Sequence, residues 1–201
     1  MEIAAAAETL IQAGRWLDAR GLCPATSGNY SLRLDPRRAL VTASGKHKGR
    51  LTPADFVVID EDGQALEGGT PSAETPLHAL MFRLDPSIGA VIHSHSIVST
   101  VLGMVVEGRA SIDLEGYEML KSLPGIESHA QRVSIPIFDN SQDVPAIARA
   151  VEARWRVGPF KGYVLRGHGL YGWGPSLDVA MRVIEGLEFL LACELERRKV
   201  R

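Results

Sequence analysis

Three histidines, His93, His95 and His168, carry most of the chemistry this sequence can offer. The run His93-Ser94-His95-Ser96 closes an apolar stretch, residues 89–92, that reads as a short buried strand. Side chains alternate along a strand, so both imidazoles project to one face, about 6.6 Å apart along the backbone. Two such rings can hold one metal ion from a rigid edge, or simply hydrogen-bond at a strand end. His168 stands between Gly167 and Gly169 where another strand closes. Flanking glycines permit backbone conformations and close approaches that other residues resist, which suits a metal ligand in a tight turn and an ordinary β-turn alike. Together the three supply neutral nitrogen donors in the number catalytic zinc sites use while leaving a fourth position open. Manganese, iron or cobalt would accept the same set.

Two loops have the makings of a phosphate cradle. Thr26-Ser27-Gly28-Asn29 and Ser44-Gly45-Lys46 each combine hydroxyls, backbone N–H groups beside a glycine, and an amide or ammonium donor. Ser72 precedes a helix, whose free N–H groups and dipole attract an anion. Plain turns and caps have the same composition. Neither loop matches a P-loop or dinucleotide fingerprint, which argues against a nucleotide. Two carboxylates come into view as proton carriers. Glu74 falls in the first turn of that helix, where a negative charge is favoured without any catalytic purpose. Glu118 follows Tyr117 and precedes Met119 and Leu120, so partial burial is expected; beside a metal, such a carboxyl could exchange a proton near neutrality. Both also read as surface acids.

The elements that must position these residues follow from apolar periodicity. Helices are expected at residues 3–20, 74–84, 97–105, 144–155 and 176–198, and a single helical turn at 52–55. Strands are expected at 30–34 and 39–42, paired as a hairpin, and at 56–59, 89–92, 110–114, 133–138, 162–165 and 170–173. In the last helix, Leu177, Ala180, Val183, Ile184, Leu187, Leu190, Leu191 and Leu195 form one stripe, with Glu185, Glu188, Arg197 and Arg198 mostly off it. Irregular alternation of strands and helices with a hairpin argues a mixed sheet covered by helices on both faces. His78, four residues after Glu74, is expected to pair with it across a helical turn, and His47 and His129 to lie solvated in polar loops.

The chain has 201 residues, enough for one domain (1–201) with a full core. A net charge of −2 gives no electrostatic reason to expect nucleic acid or an anionic membrane, so an anionic substrate needs a local site. No apolar run approaches a membrane span, and the N-terminus lacks a basic region followed by an apolar core. Cys23 and Cys193, far apart and outside any Cys-x-x-Cys pattern, argue against a disulfide scaffold and a zinc–thiolate site. A cytoplasmic protein is expected.

Taken in order, Thr26-Ser27-Gly28-Asn29, Ser44-Gly45-Lys46, Ser72-Ala73-Glu74-Thr75, His93-Ser94-His95-Ser96 and Gly167-His168-Gly169 resemble the class II aldolase/adducin family across nearly the whole chain. The resemblance implies a three-layer α/β/α sandwich around a mixed, largely antiparallel sheet. It implies one divalent ion per subunit, usually Zn2+, a phosphorylated sugar substrate, and a homotetramer with active sites near subunit boundaries. Glu118-Met119-Leu120-Lys121 and the segment from Arg166 to Gly174 are similar to the family's dehydratases of a methylthio-bearing ketose phosphate. That likeness implies His93, His95 and His168 as metal ligands, Glu118 as the catalytic acid/base, and Gly28, Asn29, Ser44, Gly45, Lys46 and Ser72 as the phosphate neighbourhood. Glu74 occupies the place of the catalytic glutamate of the family's sugar-phosphate aldolases, which keeps an aldolase or epimerase as the alternative.

Overall fold

The structure, a computed structural model, describes residues 1–106 and 108–200. Nine strands form one sheet. They are β1 (Asn29–Asp35), β2 (Arg38–Thr42), β3 (Phe56–Ile59), β4 (Ala65–Glu67), β5 (Ala90–Ser94), β6 (Ser111–Leu114), β7 (Val133–Phe138), β8 (Tyr163–Leu165) and β9 (Gly169–Gly174). Their order across the sheet is β4-β3-β2-β1-β5-β9-β8-β7-β6. Every pairing is antiparallel except β7 with β8, so the sheet is mixed and largely antiparallel, as the family resemblance implies.

Five helices cover it: α1 (Ile3–Ala19), α2 (Thr75–Leu84), α3 (Ile97–Val105), α4 (Val144–Val157) and α5 (Leu177–Lys199). Their starts are written in local chemistry. Asp143, Ser96 and Ser176 cap α4, α3 and α5 by accepting the N–H three residues on. Prolines open α2 and α4, where a missing N–H costs nothing. Strand residues alternate between two cores. On one face Leu32, Leu40, Ile92 and Leu170 pack under α1, α3 and α5, with Leu10, Leu102 and Leu187 among their neighbours. On the other, Val41, Val57, Val91 and Tyr171 pack under α2 and α4, against Leu77, Met81 and Val151. These are the three layers of an α/β/α sandwich.

Most boundaries lie within two residues of the sequence expectation. Strand β4 was outside it: Ala65-Leu66-Glu67 is exposed throughout and carries no buried alternation to read. No helix among the described residues is long and apolar enough to cross a membrane.

Candidate metal centre

Strand β5 and the β8–β9 hairpin bring the three histidines together at one end of the sheet. His93 lies within β5, where it pairs with Tyr171 of β9 on one side and Asn29 of β1 on the other. His168 occupies the three-residue connection between β8 and β9, its N–H closing the turn on the carbonyl of Leu165 at 3.0 Å. Both flanking glycines have a reason. Gly167 has φ +65°, where a side chain is strained, and a Cβ on Gly169 would collide with the carbonyl of Ser94 and the ring of His93. His95 stands just past the end of β5 and turns to the same point. Ring centroids are 4.5 Å apart for His93–His95, 4.9 Å for His93–His168 and 4.6 Å for His95–His168.

A fourth group joins them. Glu74, the residue immediately before α2, places Oε2 3.4 Å from His93 Nε2 and Oε1 3.4 Å from His168 Nε2. One donor atom from each of Glu74, His93, His95 and His168 lies within 4.8 Å of all the others. Hydrogen bonds decide which nitrogens face inward. The Leu170 carbonyl can only accept, so His93 carries its proton on Nδ1 (3.1 Å) and presents the lone pair of Nε2. His168 Nδ1 donates to Asn140 Oδ1 (3.1 Å) and likewise presents Nε2. The two Nε2 atoms are 3.4 Å apart, and with both lone pairs inward they repel unless a cation is shared. Donors on a tetrahedral ion with metal–nitrogen bonds of about 2.0–2.1 Å stand about 3.3–3.4 Å apart, so the donor set fits. Burial pushes His93 well below the ordinary histidine pKa and His95 down to about 4, which keeps both rings neutral and available as ligands.

Behind Glu74 runs a buried chain of hydrogen bonds with one polarity. Asn29 Nδ2 donates to Glu74 Oε2 (2.6 Å), which turns Asn29 Oδ1 toward His78 Nε2 (2.5 Å). His78 Nδ1 must then accept from Ser31 Oγ (2.7 Å). Burial holds His78 down to about 4, in the neutral form this polarity requires. His78 therefore supports Asn29 and does not bond to Glu74, contrary to the helical-turn pairing expected from sequence: its ring is used up by β1.

A cavity of about 220 Å³ opens beside the cluster, walled by His95, His168, Glu74 and the three expected loops, including Gly28, Asn29, Ser44, Gly45 and Ser72. A larger cavity, about 660 Å³, lies elsewhere, between Arg33, Arg38, Phe82 and Arg83, and has no histidine or cysteine in its wall. Chemistry, not size, marks the smaller one. Its cation is not the expected one. Lys46 turns away to Asp55 at 2.8 Å, whereas Lys48, 2 % exposed, lines the cavity. Lys48 Nζ donates to the carbonyls of Thr26 (2.8 Å) and Lys46 (2.5 Å), tying the two loops together.

Glu118 is the sharpest departure from expectation. It opens a 3-10 turn, Glu118–Ser122, that is pinned to α5 through Tyr117, whose hydroxyl donates to Glu194 Oε1 (2.7 Å) and accepts from Arg197 (3.0 Å). The apolar neighbours that suggested burial do not cover it: Leu120 faces the core, and the Glu118 side chain is 68 % exposed. It pairs with Lys121 and lies 3.6 Å from His129, and Lys121 holds its carboxyl below the usual range. It does not line the cavity. Glu188, expected off the apolar stripe of α5, is buried; its spacing from Ile184 and Leu191 puts it on that stripe, and a charge there was the legible signal.

Comparison with known proteins agrees with this geometry. Residues 8–195 match the family model described as Class II Aldolase and Adducin N-terminal domain. A methylthioribulose-1-phosphate dehydratase of Pectobacterium atrosepticum is 51 % identical over 191 residues, 94 % of this chain and 93 % of the relative. One from Marinobacter nauticus is 44 % identical over 200 residues, 98 % of this chain and 96 % of the relative. Among solved structures, L-fuculose-1-phosphate aldolase from Thermus thermophilus superposes with a TM-score of 0.78 at 26 % identity, covering 98 % of this chain and 97 % of that one. YgbL of Escherichia coli gives 0.82 at 24 % identity, over 95 % and 88 %.

Proposed function

The chain belongs to the class II aldolase/adducin family, and from that premise we propose that it dehydrates 5-methylthioribulose 1-phosphate to 2,3-diketo-5-methylthiopentyl 1-phosphate, a cytoplasmic step of methionine salvage. The observation that carries this reading is the convergence of three imidazoles and Glu74 beside a phosphate-sized cavity, in a chain about half identical to dehydratases of that name. His93, His95 and His168 would hold a Zn2+ ion, with Glu74 as a fourth donor that substrate oxygens can replace. A bound divalent cation supplies Lewis acidity, which makes the carbon next to a ketone acidic near neutral pH.

The residues of this chain do the rest. Gly28, Asn29, Ser44, Gly45 and Ser72, with the ammonium of Lys48, fix the phosphate end and orient the sugar. Lys46, held by Asp55, stands outside the cavity wall. Glu118, whose carboxyl Lys121 holds below the usual range, takes the proton from the carbon between the ketone and the departing hydroxyl. It returns that proton as the next carbon–oxygen bond breaks, so that one water leaves. The remaining enol relaxes to the 2,3-diketone with its phosphate intact.

In this reading Glu118 reaches the cavity of a neighbouring copy, across a subunit boundary. Helix α3 begins two residues after His95, and Ile97, Val101, Met104 and Val105 leave an exposed apolar face on it. Thr100 of the same helix donates to the carbonyl of His168 at 3.0 Å. Burying that face in a homotetramer would close the histidine cavity and bring a second copy's Glu118 to it.

An aldolase reading is favoured by one feature, Glu74 among the histidines, where it could remove a proton itself. Incubating zinc-loaded protein with methylthioribulose 1-phosphate separates the two. Diketone absorbance without phosphate release supports dehydration; cleavage to dihydroxyacetone phosphate and an aldehyde supports the aldolase.

A further inference from the structure

Ser94 and Ser96 flank His95 and, by strand alternation, point away from the metal centre. Both hydroxyls reach the same carboxylate. Ser94 Oγ donates to Glu188 Oε1 at 2.8 Å and Ser96 Oγ to Glu188 Oε2 at 2.5 Å. Glu188 comes from the middle of α5, 9 % exposed, with both serines also buried. Ser96 Oγ is fixed from a third direction as well, because it accepts the N–H of Ser99 (2.9 Å) and so caps α3. The joint between β5 and α3 is therefore gripped from behind, on each side of His95. A buried carboxylate is costly unless its oxygens are satisfied, and here one donor goes to each. Nothing in the packing of α5 requires a charge at this position: Ile184, Leu187 and Leu191 around it are ordinary core residues.

We infer that Glu188 is a positioning residue for the metal centre, holding the Ser94–Ser96 backbone so that His93 and His95 face one point with His168. The hydrogen bonds act through the strand, since Glu188 touches neither histidine ring. Removing them leaves the His95 backbone tethered through its N–H to the Leu22 carbonyl (2.8 Å) but loose on both sides of that bond, and the donor atoms then drift from the spacing that a single ion needs. Groups hydrogen-bonded directly to metal ligands typically govern metal affinity by about 10- to 100-fold, and Glu188 acts on the same ligands through the adjoining peptides. The inference rests on the metal reading proposed above, but the two fail differently.

The test compares full-length wild-type, Glu188→Leu and Glu188→Gln proteins. Zn2+ affinity is read by competition with a chromogenic chelator, the ligand field by the visible spectrum of the Co2+ form, and the metal-free fold by its melting temperature. Leu fills the volume and removes both acceptors. It is expected to bind Zn2+ about 10- to 100-fold more weakly and to alter the Co2+ bands. Gln keeps one acceptor for Ser96 and offers its N–H to Ser94, and is expected to stay within about threefold of wild type. If E188L does not fold, Ser94→Ala removes one of the two bonds without touching the α3 cap, and a measurable loss of Zn2+ affinity is still expected. A folded E188L with wild-type affinity and an unchanged Co2+ spectrum would overturn the inference, as would a lowered melting temperature alone. Equal losses in E188Q and E188L would also overturn it, because charge rather than hydrogen-bond geometry would then be responsible. A wild-type protein that takes up no divalent ion would instead sink the metal reading itself.

Discussion

His93 leaves a strand whose every residue from Ala90 to Ser94 is buried, whereas Glu118 stands on a five-residue 3-10 turn with about two thirds of its side chain in solvent. The histidine region is over-determined: sheet pairing, the Leu170 carbonyl, Asn140 and the Glu188 clamp each fix one degree of freedom. The Glu118 turn is held by Tyr117 on α5 and by Leu120 and Leu123 in the core, but its carboxylate stands in solvent, paired with a surface lysine. Metal ligands must hold their geometry before any substrate arrives, so a strand, its end and the tight turn beside it suit them. A group that carries a proton between substrate atoms has to approach after binding, and an exposed surface turn allows that. In the proposed reaction the ligand half of the centre is complete within one chain and the proton-carrying half is presented outward.

The largest expected effect separates the two halves. His168→Ala should abolish both uptake of the ion and turnover, while Glu118→Gln should leave metal content intact and lower turnover by about 10²–10⁴-fold. Elemental analysis and a diketone assay on the same preparations check this; loss of metal in the Glu118 variant would erase the distinction. Next is stability against acid, which probes the rigidity of the histidine side. His78 is held down to about 4 in the folded chain, against about 6.5 when unfolded. Below pH 6.5 the unfolded chain takes up a proton that the folded one refuses, so this contribution is complete above 6.5 and declines as pH falls to about 4. Its total is about 3 kcal/mol. Denaturant unfolding of metal-free protein should show the decline, shallower by one proton in His78→Gln; identical slopes would contradict the assignment. The smallest effect sharpens the phosphate side. Lys48→Met should raise KM about tenfold, and Lys46→Met should change it less than about twofold, because an exposed charge already paired with Asp55 contributes little.

The same contrast explains what could be read from residues alone. The histidine half was legible because strand alternation and a Gly-His-Gly turn are local rules, and β5 and β9 obey them. The choice between Lys46 and Lys48 was not, since a two-residue offset in an irregular turn, Lys48–Arg50, follows no period. Glu118 misled for a related reason: Met119 and Leu120 suggested a buried segment, but in a 3-10 turn successive side chains point about 120° apart and burial of one says little about the next. His78 was assigned to its own helix, while its partners Asn29 and Ser31 lie over forty residues earlier. Long-range hydrogen bonds of this kind leave no spacing to detect. Glu188 did leave one, a carboxylate on an apolar stripe, and it marks the clamp.

Subunit complementation tests most directly whether the two halves meet between copies. His168→Ala and Glu118→Gln chains, each inactive alone, are co-expressed with different tags, and mixed oligomers loaded with Zn2+ are isolated and assayed with methylthioribulose 1-phosphate. Independent pairing of one copy's histidines with another copy's glutamate leaves roughly one quarter of sites intact, so activity of about that fraction is expected. Mixed oligomers that form and remain inactive would contradict a shared site.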